Sequence, residues 1–400
     1  MLYQTLKSIY YKTPEEYKNE YNIRFTSPFT KKLPFTIKQF NHNEENIAFY
    51  CHTEEIVNLQ SKIMKEYISF CETLSQIPGA GITQFLYTSL VEEIKSSNDI
   101  EGVHSSRREI KIAMTSAEQV RLSGIVNKYR KIITNETIPL ETCRDIRLLY
   151  DDVLYDEIKN DNPENLPDGD LFRKGSVDIV SSTNKTIHRG LYPEQKIIQY
   201  MEKALTILKD DQVSIYIRIA IFHYFFGYIH PFYDGNGRMS RLITSYLISQ
   251  ELHPTIGLQV SLLLKKNRKV YYDLFQESDS EINKGDLTPF ITGTLFFIYD
   301  AIQYTQSILN KKLNQYKIYS DKLPCLIGAK LTTSHKIYDI LLQASIFSNG
   351  GATVSEIVST INVSENTVSK YLKQIPEDRI IISKTARPYQ YRLNLNCLNQ

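Results

Sequence analysis

Two apolar helical stretches, broken by one short polar loop, constrain this chain more than any other feature. Ile215–Ile229 is aromatic and helix-like, and Leu242-Ile-Thr-Ser-Tyr-Leu-Ile248 is apolar at helical spacing. Between them lies His230-Pro-Phe-Tyr-Asp-Gly-Asn-Gly-Arg-Met-Ser-Arg241. Pro231 disfavours helical geometry at His230, so the first helix is expected to end there. The second is expected to begin between Gly235 and Arg238. The polar loop thus places a base, an acid, two glycines and two arginines at the junction of two helices.

Those residue types suit a polyphosphate. Gly235 and Gly237 carry no β-carbon, so backbone amides can approach an anion closely. The same amides open a helix N-terminus, where unpaired N–H groups and the macrodipole favour negative charge. Arg238 and Arg241, three apart, share one helix face and offer planar forks for phosphate oxygens. Asp234 is a hard oxygen ligand suited to Mg²⁺. His230 can take a proton from an attacking hydroxyl near neutral pH. Each residue alone has a plainer reading: a packed histidine, a turn glycine, a solvated arginine. Their occurrence together in this order favours the site.

The loop resembles the signature of the Fic family, HPFx(D/E)GNGRxxR, and matches it at every defined position. The resemblance implies a mainly α fold: a Fic-type helical core with a small β-hairpin flap. It also implies transfer of AMP from ATP to a hydroxyl side chain of a target protein. His230 would then be the general base and Asp234 the Mg²⁺ ligand. Gly235, Asn236, Gly237 and Arg238 would form the phosphate loop, Arg241 would hold the γ-phosphate, and Phe232 would anchor the loop in the core. Kinase-like relatives replace the second half of GNGR with a lysine, which Gly237 argues against. A phosphocholine-type donor stays open.

Upstream, Ser97-Asn-Asp-Ile-Glu101-Gly102 reads first as a helix ending at a glycine. Beside the signature it also resembles the family's inhibitory motif, (S/T)xxxE(G/N). Under that resemblance the helix of about 95–102 is inhibitory, and Glu101 pairs with Arg241 where the γ-phosphate belongs. Phe172–Val180 and Thr186–Gly190, about a turn at 181–185, read as a hairpin, the one convincing case in the first 300 residues. Its position matches the family's flap, whose edge strand pins a target backbone. Val177, Asp178, Ile179, Val180, Ile187 and His188 are the candidate docking residues, with a surface hairpin of no role as the alternative. Tyr271 and Tyr272 resemble a tyrosine pair that flanks the adenine, and core packing explains them nearly as well. The asparagine expected about eight residues later is absent; Ser278 and Asp279 stand there. His223, two turns before His230, reads as a packed core histidine, and Gly227 stands where relatives often carry Glu.

Four hundred residues suggest two or three domains. The divisions expected are 1–110 (N-terminal helical region), 111–310 (catalytic core), 311–330 (linker) and 331–400. Residues 1–55 are polar and broken by prolines, with at most short strands near Phe35–Lys38. Helices are expected over 54–74, 82–97, 110–133, 144–158, 197–208, 214–229 and 301–319. Thr353–Leu372 reads as helix–turn–helix, with Asn362 at the turn and Ser364 as a cap, followed by a hairpin about Pro388, so 331–400 resembles a winged helix. A net charge of +2 argues against a strong global field for nucleic acid or membrane. Five scattered cysteines fit neither a disulfide framework nor a zinc ribbon, which points to the cytoplasm. No stretch is apolar for long enough to span a bilayer.

The leading expectation is an autoinhibited protein adenylyltransferase using ATP and Mg²⁺, acting on a Ser, Thr or Tyr hydroxyl of a target and on itself. Two alternatives stand beside it: removal of AMP by a water that Glu101 positions, and a DNA-binding regulator whose core senses nucleotide. The helix 364–373 carries Glu365 beside Lys370 and Lys373, thin for a DNA reader, so DNA and protein contact are both open for the C-terminal region. A second copy of the chain is a further candidate partner.

Overall fold

The structure, a computed structural model, describes residues 3–116, 118–180, 185–328, 332–384 and 388–398. Two helices, α1 (Leu6–Lys12) and α2 (Pro14–Thr26), open the chain, and β1 (Thr30–Ile37) pairs antiparallel with β2 (Asn46–Cys51). This segment is more ordered than its composition suggests. Pro34 removes a ladder donor, and the register shifts between Lys32 and Thr36, which hides the strand from a periodicity count. The expectation of one hairpin in the first 300 residues is therefore corrected: the described residues there hold two. Phe35 stacks on Phe225 at 3.6 Å, and Phe49 pairs with the backbone of residues 285 and 287, so the N-terminal hairpin is fastened to the core.

Helices α3 (Glu54–Leu74) and α4 (Gly79–Ile100) follow. In α3 the buried positions Ile56, Leu59, Ile63 and Phe70 recur at helical spacing, and the Thr53 hydroxyl accepts from the Ile56 amide at its N-terminus. The expected single helix over 110–133 is two: α5 (Arg107–Thr115) and α6 (Ser123–Ile133). Ser106 and Glu109 form a capping box that sets the start of α5, and Leu122 at φ 71° breaks the chain before α6. Then α7 (Cys143–Tyr150) passes through a π turn, Asp151–Tyr155, into α8 (Asp156–Asp161). The carbonyls of the π turn press on Gly124, where a β-carbon would lie 2.3 Å from the Asp152 oxygen.

A two-stranded hairpin, β3 (Asp178–Val180) and β4 (Thr186–Arg189), leads to α9 (Glu194–Leu208), α10 (Ile215–Ile229) and α11 (Asn236–Glu251). Residues 181–184 of its turn lie outside the described residues. Helix α10 is apolar all round, as its sequence requires of a central helix. Phe222, Phe225 and Phe226 are each almost fully buried, worth about 1.5–3 kcal/mol apiece. Around it run α12 (Pro254–Gly257), α13 (Val260–Lys266), α14 (Arg268–Asp279) and the 40-residue α15 (Thr288–Ile327). Residues 311–327, expected to be a linker, are the last turns of α15, and Leu313 and Leu323 are buried.

The C-terminal segment holds α16 (Thr333–Phe347), β5 (Ala352–Thr353), α17 (Val354–Ile361), α18 (Glu365–Gln374), β6 (Ile380–Ser383) and β7 (Gln390–Leu393), with sheet order β5-β7-β6. Asn362 at φ 54° joins α17 to α18, and the Ser364 hydroxyl accepts from the Thr367 amide. The segment is seated on α4, where Phe347 lies 2.9 Å from the place a β-carbon of Gly81 would take. Tyr316 of α15 donates to Asp339 of α16 at 2.9 Å.

Candidate active site

The site grows from the junction of α10 and α11. Pro231 stops α10, and His230 caps it in a left-handed conformation at φ 52°. Phe232 stacks on Tyr150 at 3.8 Å and meets Phe172 edge-on, which seats the loop in the core. The Asn236 side chain closes the loop by accepting from the Phe232 amide at 2.9 Å and donating to its carbonyl at 2.8 Å. Asn236 thus shapes the loop with its side chain and offers only its backbone to a ligand. Gly235, at φ 82°, starts α11, and a β-carbon there would meet Leu154 at 2.4 Å.

Two residues that the sequence reading left without a role hold this junction. Arg173 is fully buried; it donates from Nε to the His230 carbonyl at 2.9 Å and from Nη2 to the Ile229 carbonyl at 3.4 Å. A guanidinium there meets the negative end of α10. Burial lowers its pKa to about 10. Glu157 of α8 accepts from Arg238 Nη1 at 2.8 Å, and Asp234 lies 3.7 Å from Arg238 Nη2. Arg238 is 2% exposed, so this pair is nearly dry. No local pattern marks either residue: Arg173 and Glu157 stand 57 and 73 positions before His230, and only packing brings them to it.

His230 Nδ1 faces the Gly227 carbonyl at 3.3 Å, so its proton points there and Nε2 keeps its lone pair. Burial, then the positive charges of His188 and Arg173, lower its pKa to about 3. His230 is therefore neutral near pH 7. His188 does the opposite. Its Nε2 meets the Tyr228 carbonyl at 2.8 Å and its Nδ1 meets Asp279 at 3.1 Å, two acceptors that together hold an imidazolium. Burial lowers its pKa, and Asp279 more than offsets this, for a net rise. His223 is buried, with Nδ1 toward Thr244 at 2.7 Å and Nε2 toward the Tyr271 hydroxyl at 3.0 Å, and burial lowers its pKa to about 3. It is a packed core histidine, as its sequence context suggests.

Arg241 is 1% exposed, and each of its three nitrogens donates to the last turn of α4. Nη1 donates to Glu101 Oε1 at 2.7 Å, Nε to the Ser97 hydroxyl at 3.0 Å and Nη2 to the Ser97 carbonyl at 2.9 Å. The α4 helix ends at Ile100 and Gly102 follows at φ 75°, so the expected glycine stop and the carboxylate contact share one turn. Burial raises the Glu101 pKa, but Arg241, then Arg238 and His230, carry it below the ordinary carboxylate range. Glu101 Oε1 sits 2.1 Å from where a β-carbon of Gly237 would be. The carboxylate therefore rests on the N-terminus of α11, the place that an anion would seek.

The remaining candidates divide. In the hairpin, Ile179 faces His188 across the ladder and Asp178 pairs with Arg189 at 2.6 Å, while Val180 is 51% exposed. The Val177 carbonyl accepts from Gly190, and Gly190 packs on the β-carbon of His230. Ile187 is half-buried. His188 points inward, its ring tied to Asp279, so it fastens the hairpin to the core and does not present a docking surface. Tyr271 is buried with its hydroxyl on His223, which is the packing alternative; Tyr272 is half-buried beside it at 5.4 Å. Asp279, in the place of the missing asparagine, accepts from Tyr224 at 2.6 Å. Gly227 admits Phe275, which would lie 2.7 Å from a β-carbon there. A cleft of about 790 Å³ opens from Asp234 and Arg238 between residues 102–104, 119–124 and 151–161. Among the described residues no group of three His, Cys, Asp or Glu is placed to hold a metal. Asp234 alone fits a Mg²⁺ that takes most of its ligands from phosphate and water. No described helix is long and apolar enough to cross a membrane.

Residues 142–248 match the family model described as Fic/DOC family. The chain is 38% identical over 86 residues to the protein adenylyltransferase Fic of Aedes aegypti, covering 22% of this chain and 15% of that protein. It is 35% identical over 124 residues to the Drosophila melanogaster protein of that name, covering 31% of this chain and 21% of the other. A crystal structure of a Fic family protein from Desulfovibrio desulfuricans G20 superposes with a TM-score of 0.52 at 18% identity, over 86% of this chain and 97% of that one. The fold is thus shared across most of the chain, while the family model covers residues 142–248.

Proposed function

From the Fic/DOC-family domain at residues 142–248, we propose that this chain is a protein adenylyltransferase, held in check by Glu101. It transfers AMP from ATP to a Ser, Thr or Tyr hydroxyl of a target protein, and to itself. The observation that carries the reading is the loop itself: a neutral His230, an acidic Asp234 and the bare amides of α11 meet at one helix N-terminus above Arg241. The hydroxyl gives its proton to His230 Nε2 as its oxygen bonds to the α-phosphorus. The bond from that phosphorus to the β-phosphate oxygen breaks, and pyrophosphate leaves. The loop amides and Arg238 stabilise the charge that develops. When bound at Asp234, Mg²⁺ supplies charge neutralisation on the phosphates. A polyanion beside His230 favours its protonated form, raising its pKa from about 3 toward a value useful for a base.

Glu101 opposes this by filling the place of the terminal phosphate and occupying Arg241. The domain match and the two adenylyltransferase relatives support transfer as the main activity. The hairpin would align a target backbone through β3, which has one neighbour strand. Intact mass of the protein after incubation with ATP and Mg²⁺ tests the reading. Glu101→Gly gains one AMP and Glu101→Gly combined with His230→Ala gains none. An AMP adduct on the double variant would remove His230 from the mechanism. A modified target then separates removal from transfer, because removal requires Glu101 and transfer does not.

A further inference from the structure

Helix α5, six residues beyond Glu101, and the C-terminal sheet enclose a second groove. Its inner lobe, about 210 Å³, is walled by Tyr87, Val91 and Met114. Its outer lobe, about 450 Å³, is lined by Arg107, Arg108 and Lys111 of α5 and by Arg392 of β7, with no Asp or Glu among the described residues of its walls. The two lobes share Arg107, Lys111 and Gln390 and are continuous. Arg107 is partly neutralised by Glu92 at 2.5 and 2.8 Å. The other acid of the inner lobe, Glu356, is spent on its capping box with Thr353. Arg108, Lys111 and Arg392 enter no ion pair among the described residues. Three cations without a matching carboxylate thus converge beside Arg107 in a chain whose net charge is only +2.

We infer that this groove binds a nucleoside polyphosphate at a site separate from the His230 loop, with its phosphates on Arg108, Lys111 and Arg392 and its base against Tyr87. Guanidinium forks and an ammonium match phosphate oxygens, and an aromatic beside two apolar side chains offers a face for a ring. Lobes of this size admit a small ligand. Such a ligand ties β7 to α5, and through the Arg107–Glu92 pair to α4, the helix that carries Glu101.

Hydrogen exchange of the full chain with ATP in chelator, so that no metal is present, tests this site by position. Saturable protection of 107–115 and 388–393 is expected. Arg108→Glu with Arg392→Glu weakens that protection at least tenfold in ATP concentration without lowering Tm, since these side chains lie at the surface or half-buried. The milder pair Arg108→Gln with Arg392→Gln gives a smaller weakening in the same direction. Protection confined to 230–241, or protection of 107–115 that survives charge reversal, overturns the inference. A parallel arm uses a 20-base-pair DNA duplex: protection by the duplex and none by ATP overturns the nucleotide assignment in favour of a phosphodiester backbone.

Discussion

Replacing Glu101 with glycine is the sharpest test of the proposed control. Arg241 makes three hydrogen bonds to α4, and only the one from Nη1, at 2.7 Å, goes to the Glu101 carboxylate. The two to Ser97 survive the substitution, so Arg241 keeps its position and loses one charge-assisted bond. Such a bond is worth roughly 1.5–3 kcal/mol. If that energy opposes entry of the terminal phosphate, Glu101→Gly increases AMP transfer by about one to two decades. The substitution also leaves a guanidinium that is 1% exposed without its carboxylate, so a loss of stability accompanies the gain, part of it recovered by ATP as phosphate replaces the carboxylate. Radiolabelled ATP, with self-modification counted over time at subsaturating nucleotide, measures the gain. Ser97→Ala alone, with Glu101 kept, checks the division of labour: it loosens Arg241 without vacating the anion site, and so does not reproduce the gain. Equal labelling of wild type and Glu101→Gly, with both folded at the assay temperature, would refute the reasoning.

Three further outcomes follow from the geometry. Glu157→Gln strips the main counter-ion from a guanidinium that is 2% exposed, and should cost about 3 kcal/mol in urea unfolding, with part recovered by ATP as phosphate replaces the carboxylate; no loss would mean that Asp234 suffices. Glu93 is fully buried, accepts from Ser245, from the Ser261 hydroxyl and from the Ser261 amide, and burial raises its pKa to about 7. Because the folded pKa lies above the unfolded one, its stabilisation is complete below about pH 4.5 and is lost as pH rises through about 7; melting of wild type should therefore fall relative to Glu93→Gln between pH 5 and 8. Parallel curves would show that Glu93 does not titrate there. Gly227→Ala sets a helix-propensity gain of about 1 kcal/mol against a β-carbon 2.7 Å from Phe275, whose ring is packed on Phe290 and Tyr224. Overpacking of this kind costs roughly 1–3 kcal/mol, so a net loss in Tm is expected, and a gain would show that Phe275 yields.

The candidate loop was legible in the chain because its parts are neighbours in sequence: Pro231 ends one helix, two glycines open the next, and the histidine, the aspartate and both arginines fall within twelve residues. The helices flanking it declared themselves by apolar spacing, and Glu101 by a motif that carries its own turn. What stayed hidden depends on groups that meet only after folding. Arg173 and Glu157 have ordinary surroundings in sequence, yet one secures the carbonyl of His230 and the other neutralises Arg238. The inward turn of His188 is set by Asp279, 91 positions away, and the N-terminal hairpin was masked by Pro34. Charge and burial at such points are properties of the packed interior: a side chain's protonation and its partner depend on what dry surface closes over it, which no local spacing encodes. The chain by itself wrote the chemistry of the loop; the assembled core decided which of its charges are free to act.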